Sequence, residues 1–294
     1  MSLSRRGLLL AGATIATAAC GPRSRAGTKT PEPPPPPAYF DAQGQPSSLA
    51  AFVELAGAAD FVAFGELHEH PVASHDELEV LRALLGGTRP VALAMEFFER
   101  DTQPAIDAYF AGEIDEATFV ARSERNEAYA SSHRPLVEAC RAAGATVIAA
   151  NAPRPLVTAY RKSGLAYATW LASQTETDRA LLPATSVPPH DEHERRFLAL
   201  MGPERGPPFF RSMALWNDAM AESCARWRAE HPDGVVLLVV GAFHVAGRLG
   251  TVTAYRERRP EDRVAVLTMK GGGVGFEPND RDEGDLVVKV ADGG

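Results

Sequence analysis

Val235-Val236-Leu237-Leu238-Val239-Val240, closed at once by Gly241-Ala242-Phe243-His244, decides the fold. The run is uniformly apolar, rich in β-branched valine and short. It therefore predicts a strand buried on both faces, as in a parallel sheet, where hydropathy does not alternate. Phe61–Phe64, Val91–Met95 and Thr146–Ala150 read the same way. Val264–Thr268 and Leu286–Val290 are weaker candidates for the same sheet or its edge. Helical patterns lie between these runs. Leu78, Leu81, Leu84 and Leu85 share one face of Glu77–Leu85, and Arg134–Ala143 runs into Gly144, a helix C-cap signal. Phe209, Met213, Trp216, Met220, Cys224 and Trp227 keep a 3.6-residue stripe and predict one long helix with that stripe in the core. Strands alternating with helices predict an α/β fold, a mainly parallel central sheet flanked by helices. Tyr160–Pro208 contains no good strand and reads as a helical excursion or subdomain over one end of the sheet.

Composition narrows the function. Hydrophobic residues make up 45% of the 294 and charged residues 23%, which is ordinary globular composition. The net charge of −8, with no basic block, argues against a nucleic-acid partner, since that affinity comes from cations on phosphates. Three cysteines with no C-x-x-C pair do not make a disulfide scaffold. Cys140 and Cys224 fall on apolar helix faces and read as buried thiols.

The first residues read as an address. Ser4-Arg5-Arg6-Gly7-Leu8-Leu9 resembles a twin-arginine export signal. Gly7–Ala19 is apolar but too short for a permanent membrane span. Thr17-Ala18-Ala19-Cys20 resembles a bacterial lipobox, in which Cys20 is lipidated. The expected organisation is a signal peptide at 1–19, a lipidated cysteine with a Pro-rich linker at 20–48, and an α/β domain at 49–294. The expected location is an exported bacterial lipoprotein, anchored to the cell membrane or outer membrane through Cys20.

The chemistry-bearing residues follow the strands. Glu66 and His68 follow the first strong run, Glu96 the second, Asn151 the third and His244 the fourth. In a parallel sheet these positions share the carboxyl edge, where ligands bind. His68, His70, His75, His244, Glu66 and Glu96 have the chemistry to ligate a metal or to act as acid and base. No H-E-x-x-H or G-x-S-x-G motif is present, so no dedicated metal-ligand set is assigned. His190 and His193 lie in a polar stretch and are expected to face solvent.

Gly65-Glu66-Leu67-His68, Leu93-Ala94-Met95-Glu96, Asn151-Ala152-Pro153-Arg154, Asp218-Ala219-Met220-Ala221 and Gly241-Ala242-Phe243-His244, in this order, resemble the ChaN family over about residues 50–260. These are haem-binding bacterial lipoproteins of the haem-uptake and Tiki superfamily. The resemblance implies an α/β sheet with a helical subdomain and haem stacked at a homodimer interface, with iron held by a tyrosine. The axial candidates are Tyr129 and His133, which precede Arg134-Pro135-Leu136. Asn151, Arg154, His68 and His244 are the further candidates for contact with haem, Arg154 through a propionate. Superfamily relatives also include erythromycin esterases and Tiki metalloproteases. The alternative is therefore an esterase- or peptidase-like hydrolase. It would use Glu66, His68, Glu96 and His244 with a divalent metal or as acid–base pairs.

Overall fold

The computed structural model describes residues 34–123 and 129–291. The export and lipidation expectations on Arg5, Arg6 and Cys20 lie outside the described residues. Seven strands form one sheet. They are β1 (Ala38–Asp41), β2 (Phe61–Glu66), β3 (Val91–Glu99), β4 (Thr146–Asn151), β5 (Val235–Gly241), β6 (Val264–Lys270) and β7 (Leu286–Lys289), in the order β1-β7-β6-β2-β5-β3-β4. All pairings are parallel except β1 with β7. Every strand expected from an apolar run is present. β1, which precedes Leu49 in the chain, is the strand missed. Ala38-Tyr39-Phe40-Asp41 is too short and too mixed to stand out, and the sheet edge supplies what its own composition lacks.

The apolar runs fail to alternate because both faces are covered. Val62, Phe64, Leu93, Met95, Leu237 and Val239 point to one face. There they pack against α1 (Leu49–Ala58), α2 (Pro71–Leu85), α3 (Gln103–Phe110), α4 (Glu116–Arg122) and α5 (Arg134–Ala143). Phe61, Ala63, Ala92, Ala94, Val236 and Leu238 point to the other. The excursion consists of α6 (Arg154–Ser163), α7 (Tyr167–Ala172), α8 (Glu176–Ala180) and the start of α9 (Asp191–Glu230). α9 breaks at Gly202, whose φ of 76° ends the first segment, and Pro203 opens the next. Met220, Cys224 and Trp227 of α9 and Tyr255 of α10 (Thr251–Arg258) cover the second face.

Two expectations about this region need correction. Phe209 is not core: it is 40% exposed, under the guanidinium of Arg161 at 4.1 Å. The stripe drifts onto solvent where α9 runs past the end of the sheet. His193 is not exposed: it is 1% exposed, packed between Phe210 and Phe243. Its neighbour His190 is the residue in solvent, where it caps α9 by accepting from the Glu192 N–H at 3.2 Å. Cys140 and Cys224 are buried free thiols, and burial raises the proton affinity of both. Among the described residues no helix is long and apolar enough to cross a membrane.

His193 gives a pH expectation. Burial first, then the positive charges of His244, Arg196 and His190, lower its pKa from the ordinary 6.5 to about 4, although Phe243 C=O partly opposes this. Between pH 6.5 and 4 the unfolded chain binds a proton that the fold excludes. The stability contribution is thus complete above pH 6.5 and falls by about 3 kcal/mol as the pH approaches 4. His193→Gln should flatten this acid limb in urea denaturation. An unchanged limb would place the proton uptake elsewhere.

Candidate functional site at the carboxyl edge

β2 and β5 lie side by side, but the chain leaves them toward opposite faces, α2 on one and α10 on the other. This divergence opens a crevice at the carboxyl edge. Glu66 and Glu96 do not follow their strands, as the apolar runs suggest, but belong to them. Backbone pairing continues through Glu66↔Gly241, and β3 runs to Glu99 after a register shift beyond Met95. Glu69, just after β2, holds a left-handed φ of 59° and turns the chain toward α2.

Five of the sequence candidates converge here. His68 Nδ1 donates to Glu66 Oε1 at 2.6 Å. Glu66 is buried, whereas the His68 side chain is 61% exposed. Glu96 Oε2 accepts from the Gly241 N–H at 2.8 Å, and Glu96 Oε1 lies 3.4 Å from His244 Nε2. A Cβ at Gly241 would stand 3.0 Å from the His68 ring and 3.5 Å from Glu96 Oε2, so glycine lets both approach the strand end. His244 Nδ1 donates to Asn217 Oδ1 at 2.6 Å, which directs Nε2 to Glu96. Asn151 contributes through the backbone: its Nδ2 donates to Glu96 C=O at 3.2 Å.

The electrostatics set protonation states. Burial raises Glu66, but the nearby His133, the Nδ1–H of His68 and the adjacent Glu77 outweigh it and hold the carboxyl well below the usual range. Burial likewise opposes Glu96, yet the charge and hydrogen bond of His244 and the Gly241 N–H bring it to about 2. The Glu66 hydrogen bond, against desolvation, raises His68, with Glu96 adding to the effect. Glu77 goes the other way: burial, then the Glu66 charge, push it well above the carboxylate range. The surroundings thus favour ionised Glu66 and Glu96 and oppose ionisation of Glu77.

The other candidates lie elsewhere or do other work. Tyr129 is buried edge-on against Phe119, its hydroxyl 3.4 Å from Glu116, and burial raises its pKa. It is a packed core phenol rather than an exposed phenolate. His133 is also buried, 3.6 Å from Glu66 Oε2 and edge-on to Phe97. Arg154 is exposed at the first turn of α6. His70 caps α2, and His75 pairs with Asp76. Asp218 is a structural strap: buried, it pairs with Arg258 at 3.0 Å and accepts from the Val187 N–H at 3.0 Å.

Sequence reasoning missed Glu77 and Asn217. Both signals were present, since Glu77 lies at i with Leu81 and Leu84 at i+4 and i+7, and Asn217 at i with Met220 and Cys224 at i+3 and i+7. A polar residue on an apolar stripe must find a buried partner.

A search of solved structures finds ChaN of Campylobacter jejuni, described for cofacial haem binding, at 14% identity and TM-score 0.63. The match covers 86% of this chain and 96% of that one. An erythromycin esterase mutant, EreC, in its open conformation matches at 13% identity and TM-score 0.48, covering 86% and 83%. The type III effector HopBA1 matches at 13% identity and TM-score 0.45, covering 83% and 94%. No curated protein gives a significant sequence match. These likenesses concern the fold. The family model described as haem-binding uptake, Tiki superfamily, ChaN matches residues 52–254, most of the folded chain, and the protein belongs to that family.

Proposed function

We propose that this protein binds haem at the crevice, with His68 as the axial ligand and Glu66 as the carboxylate that orients it. The observation that carries this reading is the Glu66–His68 pair on the exposed lip of β2. With Nδ1–H engaged by Glu66, the Nε2 lone pair is the free donor. A carboxylate on the opposite nitrogen fixes the tautomer and strengthens an imidazole ligand. Tyr129 and His133 lack such exposure. Beside Leu67 lies a cavity of about 410 Å³, walled by Phe243, Ala246 and Met269 with Arg196 and Lys270 among its lining. The apolar wall suits a flat apolar ring, and Arg196 and Lys270, paired here with Glu283 and Asp280, would exchange those partners for its two propionates. A tetrapyrrole is larger than this cavity, so its outer edge would remain available to a second copy of the chain.

Haem titrated into the purified chain should give saturable absorbance changes with a Kd of about 1 µM or tighter, roughly −8 kcal/mol. His68→Ala should abolish the ligand-dependent bands while leaving the circular dichroism unchanged. A wild type without saturable binding overturns the reading. Bands that survive His68→Ala but vanish in Tyr129→Phe reassign the ligand to Tyr129.

A second reading rests on one further observation: two carboxylate–imidazole pairs, Glu66–His68 and Glu96–His244, flank Gly241. With the proton affinity of His68 raised by Glu66 and Glu96 held ionised, the edge holds an acid and a base suited to ester or peptide hydrolysis. Ester turnover lost in Glu96→Gln, in protein free of haem, would favour it. We also propose that the chain is exported and anchored through Cys20. Cys20→Ala should then leave the membrane fraction.

A further inference from the structure

We propose that Glu66, Glu77 and His133 form a buried site for one divalent first-row transition-metal ion, behind the exposed face of His68. Each offers one ligand atom, and these atoms lie within 4.8 Å of one another. The ligands come from the end of β2, the first turns of α2 and the turn entering α5, elements that only the tertiary fold brings together.

The second observation is what this cluster lacks. Both carboxylate oxygens of Glu77 and Nδ1 of His133 are sealed from solvent without a hydrogen-bond partner. Glu77 is 0% exposed and His133 1%. Native folds rarely leave buried polar atoms unpaired, because each such group costs on the order of 1–3 kcal/mol or more. A cation between the three side chains would engage the open carboxylate. The geometry is close to what one requires. His133 Nε2 stands 3.6 Å from Glu66 Oε2, and two ligands of a tetrahedral ion with bonds near 2.1 Å stand about 3.4 Å apart. One imidazole with two carboxylates favours zinc, manganese or ferrous iron over calcium or magnesium, which prefer oxygen alone.

The ion would share Glu66 with the surface. Oε1 of Glu66 holds His68, and Oε2 faces His133. Metal in the buried site would therefore fix the carboxylate that positions His68. This proposal does not depend on haem, and its test contains none.

The full chain, treated with chelator and freed of haem, is titrated with Zn²⁺ by calorimetry and loaded with Mn²⁺ for pulsed electron paramagnetic resonance. One equivalent of Zn²⁺ should bind with a Kd of about 1 µM or tighter. Glu77→Gln should weaken it by about 100-fold, whereas His75→Ala, which removes an exposed imidazole on the same helix, should not. The Mn²⁺ spectrum should show nitrogen coupling that His133→Gln removes. Absence of saturable binding in the wild type overturns the site. So does unchanged binding in Glu77→Gln, or coupling that survives His133→Gln. If Glu77→Gln does not fold, the nitrogen coupling decides.

Discussion

Arg228→Ala is expected to destabilise the protein by about 3–5 kcal/mol, the largest stability effect foreseen for a single side chain here. Arg228 is 3% exposed near the end of α9. Its Nη1 donates to three carbonyls, those of His231, Pro232 and Gly234, at 2.7, 2.9 and 2.8 Å. Its Nε donates to Asp262 at 3.2 Å, and Nη2 lies 3.7 Å from Asp60. This one guanidinium therefore fixes the turn that reverses the chain from α9 into β5 and joins it to the loops before β2 and β6. Alanine leaves these acceptors buried and short of a donor. Arg228→Lys should be nearly as damaging, because an ammonium cannot span the carbonyls and the carboxylates together. The midpoint of thermal unfolding should fall by roughly 10 °C. A loss below about 1 kcal/mol in urea denaturation would show that water replaces the network. Arg228 lies at the amino end of the sheet, away from the crevice, so a variant kept folded by cooling should retain its ligand affinity.

Glu66→Gln is expected to weaken haem binding by about 10–100-fold, the size of effect found when a carboxylate behind a ligating histidine is neutralised. The substitution preserves shape. It removes the charge that holds His68 Nδ1–H at 2.6 Å and that raises the proton affinity of its ring. Glutamine can still accept that hydrogen bond, so the ring keeps its place but donates more weakly to iron. The fold should persist, because glutamine keeps the shape of the buried side chain and introduces no unpaired charge. Paired absorbance titrations and circular dichroism of wild type and variant separate affinity from folding. Equal affinity, within twofold, would remove Glu66 from the proposed role. Raising the His68 pKa also makes protons compete with iron, so wild-type affinity should fall as the pH falls through the titration of His68.

The sequence alone determined the sheet, because burial on both faces imposes unbroken apolar runs such as Val235–Val240 that turns and polar strands cannot imitate. It also determined the carboxyl edge as the meeting place of Glu66, His68, Glu96, Asn151 and His244, since parallel strands all end on one side. Gly144 as a helix cap and the buried thiols of Cys140 and Cys224 were equally local matters, legible from one residue and its neighbours. Tertiary structure alone decided the rest. β1 exists because the β7 edge accepts it, and His193 is buried because Phe210 and Phe243 close over it. Tyr129 is withdrawn into the core by Phe119, 10 residues earlier in the chain. Glu77 and His133 reach Glu66 from separate elements, and the unpaired state of the Glu77 carboxylate has no signature in sequence. Periodicity reports which face of an element is dry. Whether a polar group on that face finds a partner depends on side chains far away in sequence, and only packing brings those together.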